Sequence, residues 1–122
     1  DWRGEVKKVV YIAGPITGVP RYWEVFETAE ETLTAAGYLP LSPAHMPSGL
    51  ENEKAMRICL AMIDAADAVL FLPGSSRSRG ASLEHRYCEY TGKPWVRDIK
   101  ELKEAMASCK SLMITAPEHT LC

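Results

Sequence analysis

Two loops and one acidic residue combine side chains and spacings that can do chemistry. The first loop, Gly14-Pro15-Ile16-Thr17-Gly18, carries two glycines that let a ligand approach the backbone closely. The second loop, residues 73–80, combines three serine hydroxyls with Arg77 and Arg79 and ends on Gly80. It runs into a predicted helix, whose free N–H groups and dipole favour an anion. We therefore predict an anion site at the second loop, with a solvated polar loop as the alternative. The first loop matches neither GxGxxG nor a P-loop, and its residues fit ligand contact and a plain strand-to-helix turn equally well.

Glu84 is the acidic residue that follows the second loop. The predicted third helix starts at Ala81, so Glu84 falls in its first turn, where the dipole favours an ionised carboxylate by about 0.3–1 kcal/mol. An ionised carboxylate beside a ligand can act as a nucleophile. Glutamate is also common in first turns simply because it suits the dipole. The residues alone leave both interpretations open.

The elements that must position these residues alternate along the chain. Apolar runs predict strands at residues 7–13, 38–41, 67–72 and 93–96, and helical periodicity predicts helices at 22–36, 53–65, 81–91 and 100–109. This order is typical of a parallel sheet with helices on both faces, which binds ligands at the carboxyl ends of its strands. Both loops leave strands at that edge. Residues 110–122 are ambiguous, and residues 112–115 are predicted as an edge strand or a docking tail.

Composition limits the possible classes of protein. A chain of 122 residues with 47% hydrophobic and 25% charged residues predicts one α/β domain over residues 1–122, with four to five strands. A net charge of −2 indicates neither a nucleic acid polymer nor a membrane surface as partner. No signal peptide and no apolar run of about 20 residues is present, so we expect a cytoplasmic protein.

The four cysteines lack CxxC or zinc-ligand spacing, so no metal site is predicted. Cys59 and Cys88 fall among apolar residues on predicted helices and are expected to be reduced thiols in the core.

Three segments resemble the nucleoside 2-deoxyribosyltransferase superfamily. They are Tyr11-Ile12-Ala13-Gly14-Pro15-Ile16-Thr17-Gly18, Ser78-Arg79-Gly80-Ala81-Ser82-Leu83-Glu84 and Gly92-Lys93-Pro94. The resemblance covers roughly residues 7–97 and is nearest to a small branch often encoded by phages and prophages, which would place the protein in the host cytoplasm. It implies a flavodoxin-like or Rossmann-like sheet. It also implies an enzyme without a cofactor, in which a helix-borne glutamate attacks the anomeric carbon and forms a covalent glycosyl-enzyme. Water or a second base then resolves that intermediate.

The resemblance assigns roles to particular residues. Glu84 would be the nucleophile, and Tyr11 would orient its carboxylate or line the sugar pocket. Ser78 would hold a 5′-phosphate. The remaining positions expected to contact substrate are Gly14, Pro15, Ile16, Thr17, Gly18, Gly80 and Ala81. The family commonly forms homodimers or larger assemblies, in which neighbouring subunits complete the pocket.

Other polar and aromatic residues are candidates for proton transfer, for stacking or for a structural role. His45 and Asp64 are alternative proton donors for the departing base, and the sequence does not choose between them. Trp23 lies off the core stripe of its helix and is expected to stack on a base, whereas Tyr22 is expected to pack. Asp67 opens the third strand at the opposite edge, so we interpret it as structural.

Cys59 is the main departure from the superfamily, which has an aspartate at the matching position. A thiol replaces an ionised carboxylate only if its pKa falls well below about 8.5. Three hypotheses follow: an N-glycosidase or deoxyribosyltransferase acting on a nucleoside or its 5′-monophosphate, a nucleotide-binding protein without chemistry, and an interaction protein with a vestigial pocket.

Overall fold

The computed structural model describes residues 4–107, which form alternating strands and helices. The strands are β1 (Val9–Ala13), β2 (Leu39–Leu41), β3 (Ala68–Phe71) and β4 (Trp95–Val96). The helices are α1 (Tyr22–Ala35), α2 (Asn52–Ala65), α3 (Arg79–Thr91) and α4 (residues 102–107). Short 3-10 turns lie at Pro43–His45, Ser75–Arg77 and Ile99–Glu101. No helix within residues 4–107 is long and apolar enough to cross a membrane.

The four strands form one parallel sheet in the order β2-β1-β3-β4. The α/β fold with a parallel sheet is therefore confirmed. After β2 the chain crosses to the other side of β1, where Ala13 pairs with Phe71 of β3. The winding direction changes between β1 and β3, and this change opens a crevice at their carboxyl ends.

Alternation along β1 divides the core into two layers. Val10 and Ile12 belong to a cluster with Phe26 and Leu33 of α1. Tyr11 and Ala13 point to the other face, where they belong to a cluster with residues of α2 and α3, namely Cys59, Ile63 and Cys88. Successive side chains of a strand face opposite sides of its sheet. Tyr11 is thus directed toward α2 and α3.

Helix α3 begins two residues earlier than predicted, at Arg79 instead of Ala81. Ser78 is its N-cap, and the Ser78 Oγ accepts a hydrogen bond from the Ala81 N–H at 3.2 Å. Glu84 therefore lies in the second turn, and its predicted place in the first turn was wrong. Because the dipole effect falls off within the first turn, it has little influence on this carboxylate.

Other boundaries differ by one or two residues. Strand β1 starts at Val9 because Lys7 and Lys8 are exposed ahead of the sheet. β4 is reduced to two residues. The helix predicted at residues 100–109 starts as a 3-10 turn in which Asp98 accepts from the Lys100 N–H at 2.9 Å. Its last residues, and the edge strand or tail predicted at 112–115, lie outside the described residues.

Two structural interpretations are confirmed. The Asp67 Oδ2 accepts a hydrogen bond from the Val9 N–H at 2.8 Å, so this carboxylate ties β3 to the start of β1 at the amino edge. Cys59 and Cys88 are both free and buried.

Candidate functional site

The loops after β1 and β3 meet at the carboxyl edge of the sheet, as the parallel topology predicted. The Leu72 N–H donates to the Ala13 carbonyl at 2.8 Å, which continues the pairing of the two strands beyond their ends. Gly74 lies close enough to Pro15 that a Cβ at Gly74 would come 3.5 Å from the Pro15 Cγ. This contact brings the two predicted ligand loops into one region.

A buried tyrosine–glutamate pair lies below these loops. The Tyr11 hydroxyl donates to the Glu84 Oε2 at 2.6 Å. Tyr11 is fully buried and Glu84 is 4% exposed. Helix α3 therefore directs Glu84 inward against the central strand, not onto an open surface. A short hydrogen bond of this kind holds the carboxylate in place.

Burial decides the charge of Glu84. It raises the pKa of Glu84 to about 7, although hydrogen bonds from Tyr11 and Cys59 oppose the rise. The pKa of Tyr11 is raised far above its usual value, first by burial and then by the Glu84 charge. Tyr11 thus remains a neutral donor, and Glu84 takes up or releases its proton near neutral pH.

Cys59 of α2 is the third member of this group. Its thiol interacts with both Tyr11 and Glu84, and burial raises its pKa to about 11. The thiol is therefore neutral at pH 7. This chain thus places an uncharged side chain beside Glu84, and Tyr11, Cys59 and Glu84 together carry at most one negative charge.

Helices α2 and α3 approach each other closely at Gly80. A Cβ at Gly80 would lie 3.3 Å from the Cε of Met56 in α2. Met56 is half-buried and packs against the cluster that contains Tyr11 and Cys59. Its flexible side chain is thus a neighbour of the site that the sequence pattern did not assign.

Ser78 and the arginines around it lie at the start of α3. The Ser78 Oγ accepts the cap hydrogen bond described above, which leaves its O–H able to donate to an anion. Arg77 and Arg79 are exposed, and within residues 4–107 neither forms an ion pair. Ala81 is buried at 2% exposure and faces the core.

The first loop is a tight turn in which only part of the predicted contact set faces the second loop. Pro15 lies against Gly74, whereas Ile16 packs against the core cluster on the α1 face. Thr17 and Gly18 are exposed, and the positive φ of 75° at Gly18 suits a glycine. The Val19 N–H closes the turn by donating to the Ile16 carbonyl at 3.1 Å.

Gly14 makes the closest contact in this region, and replacing it tests how tightly the loops are packed. A Cβ there would come within 3.1 Å of the Leu72 Cβ and 3.3 Å of the Phe26 Cζ. We expect Gly14→Ala to lower the free energy of unfolding by about 1–3 kcal/mol, measured by urea denaturation. Gly80→Ala is the matched control, because its new methyl would meet the flexible end of Met56 at 3.3 Å and the Ser78 Oγ at 4.0 Å, and alanine favours the helix. Equal losses in both variants would contradict the tight packing at Gly14.

The two predicted proton donors are not beside Glu84. The His45 Nε2 lies 2.9 Å from the Glu30 Oε1 of α1, the helix that covers the other face of the sheet. The Asp64 Oδ1 accepts from the Tyr87 hydroxyl at 2.6 Å near the end of α2, at the amino edge of the sheet. The fold therefore brings together Tyr11, Cys59 and Glu84 and leaves both donors outside this group.

The aromatic residues of α1 lie where their periodicity predicted. Trp23 is 53% exposed, and its ring meets that of Tyr22 edge-on at 5.4 Å. Tyr22 is half-buried and packs against the core. The exposed ring of Trp23 is available for stacking at the carboxyl edge.

A cavity of about 450 Å³ lies on the β4 side of α3. His85, Arg86 and Arg97 are among its lining residues, and none of them was predicted as a site residue. The available signal was the position of Arg97, which directly follows β4 and therefore sits at the carboxyl edge.

Comparison with known proteins places the fold and the family. No curated protein sequence matches the chain significantly. A 2-deoxyribosyltransferase structure from the psychrotolerant bacterium Bacillus psychrosaccharolyticus aligns with a TM-score of 0.58 and 21% identity, over 71% of this chain and 69% of that one. A 2-deoxyribosyltransferase from Leishmania mexicana aligns with a TM-score of 0.60 and 22% identity, over 73% of this chain and 62% of its own length. The predicted resemblance is thus confirmed at the level of the fold.

A match of the sequence to a family profile shows the family to which the chain belongs. The family profile described as "Domain of unknown function (DUF4406)" matches residues 8–97, which include both loops, Tyr11, Cys59 and Glu84. The chain belongs to the DUF4406 family and has the fold of the 2-deoxyribosyltransferases.

Proposed function

We propose that this protein cleaves the bond between base and deoxyribose of a nucleoside or nucleoside 5′-monophosphate, with Glu84 as nucleophile. The observation that carries the proposal is the buried hydrogen bond of 2.6 Å between Tyr11, in the middle of β1, and Glu84. A carboxylate held inside the protein by a neutral donor is preorganised for attack. The likeness of the fold to two 2-deoxyribosyltransferases supports the choice of reaction.

The proposed reaction has two steps. The ionised Glu84 carboxylate attacks the anomeric carbon, the base departs with the bonding electrons, and a covalent glycosyl-enzyme forms. Water then attacks the same carbon in a hydrolase, or a second base does so in a transferase, and the carboxylate is released. Retaining glycosyl transfer normally uses an acid to protonate the leaving group. Because His45 and Asp64 bond elsewhere, we propose that the departing base takes its proton from solvent.

The loops supply the proposed substrate contacts. Gly14, Pro15 and the loop that contains Ser78 would surround the sugar, and the free O–H of Ser78 would donate to a 5′-phosphate. Trp23 is the proposed stacking surface for the base. We also propose that the protein forms a homodimer or larger assembly, which sedimentation would test. We propose the cytoplasm as its location.

A nucleotide-binding protein without turnover is the second candidate. The neutral Cys59 thiol favours it, because the site lacks a second ionised carboxylate to hold the sugar and base. The low exposure of Glu84 also favours it, since an anomeric carbon must reach that side chain.

A nucleotide panel separates the two candidates. Common deoxynucleosides and their 5′-monophosphates are incubated with the protein, with and without an added free base, and the products are separated by chromatography. Release or exchange of a base supports the enzyme. Calorimetric binding without any product in the same sample selects the binding protein, and the absence of both overturns the proposed pocket.

Tyr11 is proposed as the positioning residue of the reaction. Tyr11→Phe removes the donor to Glu84, and this bond lowers the pKa of Glu84. We expect kcat/KM at pH 7 to fall about tenfold or more, and the midpoint of its rise with pH to move above 7. The pH profile of base release measures both effects.

Tyr87→Phe is the matched control for this substitution. It removes a hydrogen bond of the same length, 2.6 Å, between Tyr87 and Asp64 at the opposite edge. Its pH profile should match that of the unmodified protein. A profile in Tyr11→Phe that falls in height without moving along the pH axis would contradict the positioning role.

A further inference from the structure

The cavity on the β4 side of α3 is separate from the Glu84 group. Glu84 contacts Tyr11 of β1 and Cys59 of α2, whereas the neighbouring His85 contacts Trp95 of β4. Helix α3 thus stands between the two regions. The cavity has a volume of about 450 Å³, and its lining includes Phe71, Ser76, Ser82, His85, Arg86 and Arg97. This volume is within the range of about 300–1,000 Å³ that is typical of small-molecule sites.

The charged groups of this cavity are all basic. Arg86 and Arg97 are exposed, and within residues 4–107 neither has a carboxylate partner. Arg97 is held over the ring of Trp95, with its guanidinium carbon 5.3 Å from the ring centroid. A guanidinium stacked on a ring keeps its N–H groups free to donate. The cavity therefore offers two guanidiniums that the described protein does not neutralise.

Aromatic rings pack against His85, one of the residues that line the cavity. The His85 ring meets Trp95 at 4.4 Å and Phe71 at 5.3 Å between centroids. The His85 Nδ1 faces the Glu89 Oε1 at 3.6 Å. Its Nε2 is buried and has no hydrogen-bond partner within residues 4–107. A buried nitrogen without a partner is costly, and because it is sealed from solvent it is not counted among the proposed ligands.

We propose that this cavity binds the phosphate group of a small phosphate monoester. Each guanidinium can donate two parallel N–H bonds to a phosphate, and Ser76 also lines the cavity. A phosphate dianion offers three oxygens and nearly two charges, which matches this donor set better than a carboxylate does. The proposal does not depend on the chemistry of Glu84, because none of the residues proposed to hold the phosphate belongs to the Tyr11–Glu84–Cys59 group.

An NMR titration tests the proposal, with the Nε–Hε signals of the arginines as local reporters. The probes are inorganic phosphate, 2′-deoxyadenosine 5′-monophosphate and deoxyadenosine, added to the Glu84→Gln variant so that no turnover interferes. Arg86→Ala and Arg97→Ala remove the proposed ligands, and Arg86→Lys keeps the charge without the fork. Arg57→Ala, on the exposed face of α2, is the matched control for charge. Ser78→Ala tests the other anion site.

Phosphate is expected to shift the Arg86 and Arg97 signals, and each alanine variant is expected to weaken that binding at least tenfold. Arg86→Lys should bind phosphate more weakly than the unmodified protein and more tightly than Arg86→Ala, and Arg57→Ala should bind as before. Ser78→Ala should keep the phosphate-induced shifts of the Arg86 and Arg97 signals, whatever it loses at the start of α3. A response to the monophosphate alone identifies a nucleotide, and a response to both phosphates identifies the phosphate group, each in support. The proposal is overturned by unchanged affinity in Arg86→Ala and Arg97→Ala, by loss of binding in Ser78→Ala only, or by an equal response to deoxyadenosine. Failure of base release would overturn the proposed function and leave this result standing.

Discussion

Glu84→Gln is expected to lower the rate of base release by about ten-thousandfold or more while leaving the fold intact. The amide is nearly the same shape as the carboxylate, and its oxygen can still accept from the Tyr11 hydroxyl 2.6 Å away. It cannot attack the anomeric carbon to form a stable ester, so the covalent step is lost. Removal of a nucleophile typically costs several orders of magnitude in kcat. Initial rates of base release by chromatography measure the effect.

The matched control is Glu27→Gln. Glu27 is exposed on α1, so this substitution removes the same charge away from the Tyr11–Glu84–Cys59 group. Its rate should equal that of the unmodified protein. Mass spectrometry of quenched reactions adds a direct measurement, since a deoxyribosyl adduct should appear on the peptide that contains Glu84 and on no peptide of the variant. Base release that persists in Glu84→Gln would show that another group or water attacks the sugar.

The second large effect is on the free energy of unfolding, which is expected to fall as the pH rises, whereas the activity is expected to rise. Burial raises the pKa of Glu84 from 4.5 to about 7 in the folded protein. Between pH 4.5 and 7 the folded state holds a proton that the unfolded chain has released, so stability falls as the pH rises through this window. The stabilisation is complete below pH 4.5 and lost above pH 7. One pKa unit corresponds to about 1.4 kcal/mol, so the loss approaches about 3 kcal/mol.

Glutamine at this position has no proton to release. We therefore expect Glu84→Gln to gain about 3 kcal/mol relative to the unmodified protein as the pH rises from 4 to 8. Urea unfolding of both proteins at several pH values gives this difference, and Glu27→Gln should show none of it. A stability difference that does not change with pH would mean that the carboxylate titrates at its usual value and that its burial costs nothing.

Together these two results would show that the ionised form of Glu84 is required for the reaction and lowers the free energy of unfolding. An ionised Glu84 is needed for attack, yet the same ionised group is the one that burial disfavours. Tyr11 and Cys59 reduce this conflict by donating to the carboxylate, which is why their hydrogen bonds lower its pKa. An aspartate in place of Cys59 would raise that pKa by repulsion, whereas the neutral thiol does not.

Local sequence was sufficient to predict the order of the elements and the edge at which the loops meet. Apolar runs and helical periodicity depend on near neighbours, and parallel strands place their carboxyl ends together whatever their side chains. The contact between Leu72 and Ala13 follows from that rule. Asp67 was correctly assigned to the opposite edge for the same reason. The start of α3 was misjudged because several serines precede it, and only the geometry selects Ser78 as the cap.

Tertiary structure alone decided which polar groups share an environment. Tyr11 and Glu84 lie 73 residues apart, so no spacing rule reports their hydrogen bond or the burial that sets the pKa of Glu84. The same holds for His45, which bonds to Glu30, and for Arg97, which stacks on Trp95 beside the cavity. Sequence periodicity determines which face of an element is buried. The partner that a buried group finds, and therefore its charge, depends on long-range packing between elements.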